Sequence, residues 1–245
     1  MQPVPPLEPD GAHVWTASLP AAADVVERCR AVLSADERER AGRMLVSTSR
    51  DLFVVGRGIL RTLIGGYLGV VPAEVRFDYS AFGRPSVHTD GCRPALQFSV
   101  SHSGALVALA FAREARVGID VERVRTNTDC DAISARFFAP AEQAVLEALA
   151  PAERIDAFFA CWTRKEAVLK AVGLGISRGL CHVEVTCQPG EPARVVRSSL
   201  AEVDPAGWAL FDLAAPAGYR SALAVSTAAA RVLRTGDALA VVLPA

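Results

Sequence analysis

Apolar and polar positions alternate along this chain in a way that separates helical from extended stretches. After a proline-rich arm, "HVWTASL" reads as a short strand. "AAADVVERCRAVLSADERERAGRML" reads as helical, with Ser34 as a start signal in its middle. "SRDLFVVGRGILRTLIGGYLG" is a helix closed by glycines. "EVRFDYSAFGRPSV" predicts a strand and turn, "LQFSVSHSGALVALAFA" a strand pair about a tight turn, and "RVGIDVERV" another strand. Next come "CDAISARFF", a helix opened by Pro140 in its first turn, and the long amphipathic "RIDAFFACWTRKEAVLKAVGLG", ended by Gly173 and Gly175. "HVEVTC", "WALFDLA" and "YRSALAVST" read as strands, and the final "DALAVVLPA" is strand-like.

One pattern echoes another. "FVVGRGILRTLIGGYLG" (53–69) and "FACWTRKEAVLKAVGLG" (159–175) have equal length and share Phe, Leu, Leu and Gly at matching offsets. Two amphipathic helices can resemble each other by chance. Trailing strands that recur in the same order favour a duplication instead. A two-half protein would place its ligand between the halves, since such interfaces favour pockets.

Composition narrows the class. The 245 residues are 51% hydrophobic and 22% charged, with a net charge of −1, so any anion site must be local and no global field favours nucleic acid or membrane. Six cysteines, Cys29, Cys92, Cys130, Cys161, Cys181 and Cys187, are scattered without the spacing of a zinc or disulfide framework. The N-terminus has no signal-peptide pattern, and no apolar run nears the roughly 20 residues of a membrane span. These features predict a cytoplasmic protein with reduced thiols.

Four features carry chemistry. In "VGIDVERV", Asp120 and Glu122 share one strand face while Val117, Ile119 and Val121 take the other. The two acids either line a solvated edge, paired with Arg123 or Arg125, or face a cation that offsets their repulsion. Oxygen-only ligands favour a hard ion such as magnesium. On the helix containing "CWTRKEAVLKAVG", Phe158, Cys161, Val168, Leu169 and Val172 form the buried stripe, and Glu166 and Lys170 stack on an adjoining face. Lys165 falls inside the stripe, where it must snorkel or meet an anion. Trp162 reads as packing. In "FSVSHSG", Ser101 and His102 sit at a strand end and point opposite ways, which argues against a nucleophile–base pair and suits a phosphate site better. Arg50, Arg57 and Arg61 recur at helical spacing, and Arg84 stands in the "FGRPS" turn; arginine forks suit phosphates, although most surface arginines are only solvated charge.

Jointly, "GRP", "FSVSHSG", "VGIDVE", "RFF" followed by "PAEQ", and "CWTRKEAVLKAVGLG", in this order, resemble the Sfp-type 4′-phosphopantetheinyl transferases. The resemblance implies an α+β fold of two similar halves, 1–115 and 116–245, related by a pseudo-twofold axis, each a helix packed on a small, mainly antiparallel sheet. It implies magnesium-dependent transfer of phosphopantetheine from coenzyme A to a serine of an apo carrier domain of a fatty-acid, polyketide or nonribosomal-peptide synthase, releasing 3′,5′-ADP. Asp120, Glu122 and Glu166 match the magnesium ligands, and Lys170 the lysine at the pyrophosphate. Ser101 and His102 match the phosphate contacts, Arg84 the basic turn near the adenosine, and Arg50 and Arg57 helix cations that hold the 3′-phosphate. Glu142 matches a recurrent acid of unassigned role. Glu166 and a water on the metal are alternative bases for the serine. Duplication within one chain favours a monomer. Two competing readings are a metal-independent hydrolase built on Ser101 and His102, though no GxSxG elbow is present, and an inactive carrier-binding module of the same fold.

Overall fold

The computed structural model describes residues 4–80, 83–88, 96–174, 179–227 and 230–242, without the side chains of 233–235; Phe82, Cys92, Gly175 and the last three residues lie outside it. The first half runs β1 (Gly11–Ser18), α1 (Ala23–Ala31), α2 (Ala35–Gly42), α3 (Ser47–Leu68), the hairpin β2 (Phe77–Tyr79) and β3 (Pro85–Val87), then β4 (Leu96–Ser103) and β5 (Leu106–Arg113). The second half repeats that order as β6 (Val117–Arg123), α4 (Cys130–Phe137), α5 (Pro140–Ala148), α6 (Pro151–Val172), the hairpin β7 (Val183–Val185) and β8 (Val195–Ser198), then β9 (Ala209–Asp212) and β10 (Tyr219–Val225). The repeat holds in space. One sheet contains β1-β5-β4, the other is β6-β10-β9, and every one of these pairs is antiparallel. The helices α3 and α6 have 22 residues each and both end on a left-handed glycine, Gly69 at φ 69° and Gly173 at φ 81°. This is the duplicated α+β architecture that the echoing helices predicted.

Local signals explain most boundaries. Ser34 separates α1 from α2, and the Glu37 side chain returns to the Ser34 N–H (3.0 Å), a capping box that satisfies first-turn donors. Two stretches depart from the pattern. The expected end strand "DALAVVLPA" does not form in its described part, residues 237–242: Asp237 accepts from the Leu239 N–H and turns 238–241 into a short 3₁₀ helix. The strand lies just before it, as β11 (Arg231–Asp237), and pairs in parallel with β1, so the C-terminal segment crosses back to the first sheet. No helix is long and apolar enough to cross a membrane among the described residues.

The core has three parts. Ile59 and Leu63 of α3 pack on Trp15, Leu109 and Phe111 of the first sheet. Phe158 and Leu169 of α6 pack with Ala222 and Ala224 in the second half. Between them, Val117, Ile119 and Val121 of β6 meet Ala108 and Ala110 of β5 and Val14 of β1. The strand β5 is thus buried on both faces, which explains its unbroken apolar run. The other face of β6, carrying Gly118, Asp120 and Glu122, turns to α6. A Cβ on Gly118 would stand 1.9 Å from the Ala167 carbonyl oxygen and 2.6 Å from the Ala171 nitrogen. Only glycine lets the helix lie this close, and that closeness brings the α6 side chains to the acids.

Candidate active site at the seam

Where β4 meets β6, the two halves join through side chains rather than through a backbone ladder. Alternate serines of β4 accept from successive odd-numbered amides of β6: Ser99 Oγ from Ile119 (3.1 Å), Ser101 Oγ from Val121 (3.3 Å) and Ser103 Oγ from Arg123 (3.1 Å). Ser101 donates to Asp120 Oδ1 (2.8 Å) and Ser103 to Glu122 Oε2 (2.7 Å). Ser99 and Ser103 were not among the expected site residues; their period-two spacing with Ser101 is the sequence signal for them.

From the facing helix, Lys170 Nζ donates to Asp120 Oδ1 (2.6 Å) and to Ser101 Oγ (2.8 Å). Glu166 lies one turn earlier and is buried, as is Asp120. Burial pushes the Glu166 carboxyl up to about 7; the Asp120 charge adds to this, Lys170 opposes it, and Glu122 contributes a smaller rise. The Glu122 carboxyl is also raised, by burial first, against the lowering hydrogen bond from Ser103. Neither Asp120 nor Glu122 forms an ion pair with Arg123 or Arg125 among the described residues, so the solvated-edge reading does not hold.

Two carboxylate oxygens here, Asp120 Oδ2 and Glu166 Oε1, are buried without a hydrogen-bond partner. A buried oxygen left unpaired is costly. Two of them beside a third acid, all oxygen donors, fit a small hard divalent cation. The three acids have not closed to a single point: one oxygen from each cannot be chosen so that all lie within 4.8 Å of one another.

A cavity of about 260 Å³ opens beside these groups, lined by Arg84, Pro85, Ser99, Val100, Glu166, Lys170 and Gly173. Pro85 and Val100 also line a second, more apolar cavity of about 320 Å³, which holds Arg40, Phe53, Arg57 and His102. The two therefore adjoin. Ser101 faces the acids, whereas the exposed His102 opens into the second cavity. This separation overturns the hydrolase reading, because Ser101 Oγ spends its bonds on Asp120, Lys170 and the Val121 amide.

The cations divide by role. Arg84 donates to the Ala171 carbonyl (2.9 Å) and the Val117 carbonyl (3.3 Å), so it ties the β2–β3 hairpin to α6 and β6 while lining the first cavity. Arg57 lines the second cavity but is held by Glu37 (3.0 Å) and the Tyr79 hydroxyl (2.7 Å). Arg61 is buried on Glu37 (2.6 Å) and the Val75 carbonyl (2.8 Å), a structural cross-brace between α2, α3 and the segment before β2. Arg50 lines neither cavity. Arg40, which the spacing argument did not single out, does line the second, stacked over the Phe53 ring (4.9 Å).

Of the two outcomes open to Lys165 in the apolar stripe, snorkelling or meeting an anion, the structure shows the second. Its Nζ donates to Glu142 Oε2 and to the Val183 carbonyl, both at 2.5 Å, with no exposure at all. Glu142 also accepts from the Ala139 amide (2.7 Å) and the Val185 amide (2.8 Å). It joins α5, α6 and β7 away from the cavities, which gives the recurrent acid a structural role.

Comparisons with known proteins agree with this geometry. Residues 116–224 match the model of the 4′-phosphopantetheinyl transferase superfamily, and residues 15–114 match that of the 4′-phosphopantetheinyl transferase N-terminal region. The chain is 37% identical over 227 residues to the 4′-phosphopantetheinyl transferase HetI of Nostoc sp., covering 91% of this chain and 92% of that protein. It is 31% identical over 158 residues to a 4′-phosphopantetheinyl transferase of Bacillus subtilis, covering 64% of this chain and 68% of the relative. With the Sfp protein of Bacillus subtilis it shares 29% over 151 residues, 62% of this chain and 65% of that one. With both halves matched in sequence and the two sheets repeating in space, this chain belongs to the Sfp-type 4′-phosphopantetheinyl transferase family.

Proposed function

We propose that this protein transfers the 4′-phosphopantetheine arm of coenzyme A to a serine hydroxyl of an apo carrier domain, with Mg2+ held by Asp120, Glu122 and Glu166. The observation that carries the reading is the pair of buried, unpartnered oxygens on Asp120 and Glu166, beside Lys170 and a cavity. The names of the relatives, all 4′-phosphopantetheinyl transferases, support the same chemistry.

The first cavity receives the diphosphate, and the second, with Arg40, Arg57 and His102, receives the nucleotide with its 3′-phosphate. When bound, the cation supplies charge neutralisation on the diphosphate oxygens. Lys170 is the ammonium nearest the acids and offsets negative charge as it builds on the leaving phosphate. A carrier serine is a weak acid and needs a base. Of the three acids at the seam, Glu166 lines the first cavity, so it is the one placed to accept the serine proton. The serine oxygen then attacks the β-phosphorus in line, and 3′,5′-ADP leaves. Ser101 and Ser103 hold Asp120 and Glu122 in place, and Arg84 holds α6 against β6, so most of the contribution is positioning and electrostatics. Both walls of the site come from one chain, and we propose a monomer as the active unit.

The test is a mass measurement. An apo carrier protein incubated with the chain, coenzyme A and magnesium should gain about 340 Da, the mass of the transferred arm. Chelation by EDTA and the substitutions Asp120→Ala or Glu166→Ala should each stop the gain while leaving a folded protein. Wild-type turnover by either folded variant, or transfer that survives chelation, would remove the metal assignment.

A further inference from the structure

Two thiols on the far side of α6 have no part in the transferase site. Cys161 lies on α6 and Cys187 just after β7; they are 0% and 5% exposed, and their sulfurs stand 2.7 Å apart. Glu142 completes a group whose ligand atoms lie within 4.8 Å of one another, which has the outline of a metal centre. The bonding excludes that use. Both Glu142 oxygens are already occupied, by the Ala139 and Val185 amides and by Lys165, and the buried ammonium of Lys165 puts a positive charge where a metal ion would add another. What remains is a dithiol.

We propose that Cys161 and Cys187 are a modification site, at which a hydroperoxide converts the pair to a reversible disulfide in the folded protein. The sulfurs need to approach by only about 0.7 Å to reach the roughly 2.05 Å of an S–S bond. Access comes from one side. Cys187, and not Cys161, lines a polar cavity of about 210 Å³ together with Arg164, Asp212 and Arg220, large enough for a small peroxide. Cations flank the pair: Arg164 donates to the Thr186 carbonyl (2.5 Å), the residue before Cys187, and Lys165 adjoins Cys161 on the other side. Full burial, and then the hydrogen bond with Cys187, holds the Cys161 thiol well above its ordinary range, so the cavity-lining Cys187 is the thiol that meets the peroxide first.

The order of events follows. Cys187 sulfur attacks the distal peroxide oxygen; the O–O bond breaks, the thiol proton leaves with the released alkoxide or hydroxide, and Cys187 becomes a sulfenic acid. Cys161 sulfur then displaces hydroxide from that sulfur, forming the S–S bond, and its own proton completes a molecule of water. Two thiols are oxidised by two electrons, and one peroxide is reduced to an alcohol, or to water from hydrogen peroxide, plus water. The bond ties α6, five residues before Glu166, to the loop after β7. It restrains the unfolded chain across residues 161–187.

The experiment uses the whole chain. The folded protein is treated with stoichiometric hydrogen peroxide, then denatured, alkylated, and digested without reductant. A peptide pair joined through Cys161 and Cys187, lighter by about 2 Da than the two thiols and separated by dithiothreitol, is the expected product. The oxidised protein should melt several degrees higher than the reduced one, and peroxide should cause no such shift in the Cys187→Ser variant. Full alkylation of both thiols after peroxide, with oxidation confined to the exposed Cys181, would overturn the proposal. So would stoichiometric zinc released by a chelator from the protein as isolated. The wild-type peptide map decides the matter even if the variant fails to fold, and it does not depend on transferase activity.

Discussion

Replacing Glu166 by glutamine tests the electrostatics of the site without touching a substrate. The carboxyl is 3% exposed, has one oxygen without a partner, and is pushed from 4.5 up to about 7, by burial first and then by Asp120. A folded-state value above the unfolded one means that the native chain binds this proton more tightly. The resulting stability is fully present below the unfolded value of 4.5 and is lost as the pH rises through about 7. At about 1.4 kcal/mol per pH unit, the rise corresponds to about 3 kcal/mol. In Glu166→Gln that pH-dependent part is gone. Urea denaturation of metal-free protein at pH 5 and pH 8.5 should show a wild-type loss larger than the variant's by about 3 kcal/mol, or about 6–12 °C in Tm. At pH 8.5 the variant should be the more stable protein, and added magnesium should stabilise only the wild type. Parallel pH profiles for the two proteins, or a variant that is less stable at pH 8.5, would refute the reasoning.

Two other substitutions probe the frame around the site. Gly118→Ala places a methyl inside contact distance of the α6 backbone at Ala167 and Ala171, so it should cost about 1–3 kcal/mol and sharply lower transfer, both measurable on purified protein; unchanged rate and stability would show that α6 is not seated by this strand. Lys165→Met leaves the buried Glu142 carboxylate without its cation and should cost about 3–5 kcal/mol by chemical denaturation, part of which Glu142→Gln in the same chain should restore. A loss below about 1 kcal/mol in the single variant would mean that the pair is not the brace described.

Much of this molecule is legible from local spacing. Period-two placement put Asp120 and Glu122 on one face and Val117, Ile119 and Val121 on the other. Helical spacing stacked Glu166 and Lys170. A lysine inside an apolar stripe had either to snorkel or to meet an anion. Each of these is a property of one backbone segment, so it can be read without knowing what the segment packs against. Even the duplication showed in two helices of equal length, because each half repeats the same order of elements.

Tertiary structure alone decided which separate segments meet. The anion for Lys165 is Glu142 on another helix, and the partners of Asp120 come from β4 and α6. For the serine joint, the period-two serines mark one face of β4, but only the packing shows that their hydroxyls take the place of a backbone ladder to β6. Equal spacing could not separate Arg61, locked on Glu37, from Arg57 at the cavity, or rank Arg40 above Arg50. Nor could it send β11 back to β1. Periodicity states which face of a segment is apolar, whereas contacts between distant segments depend on how those faces are packed together.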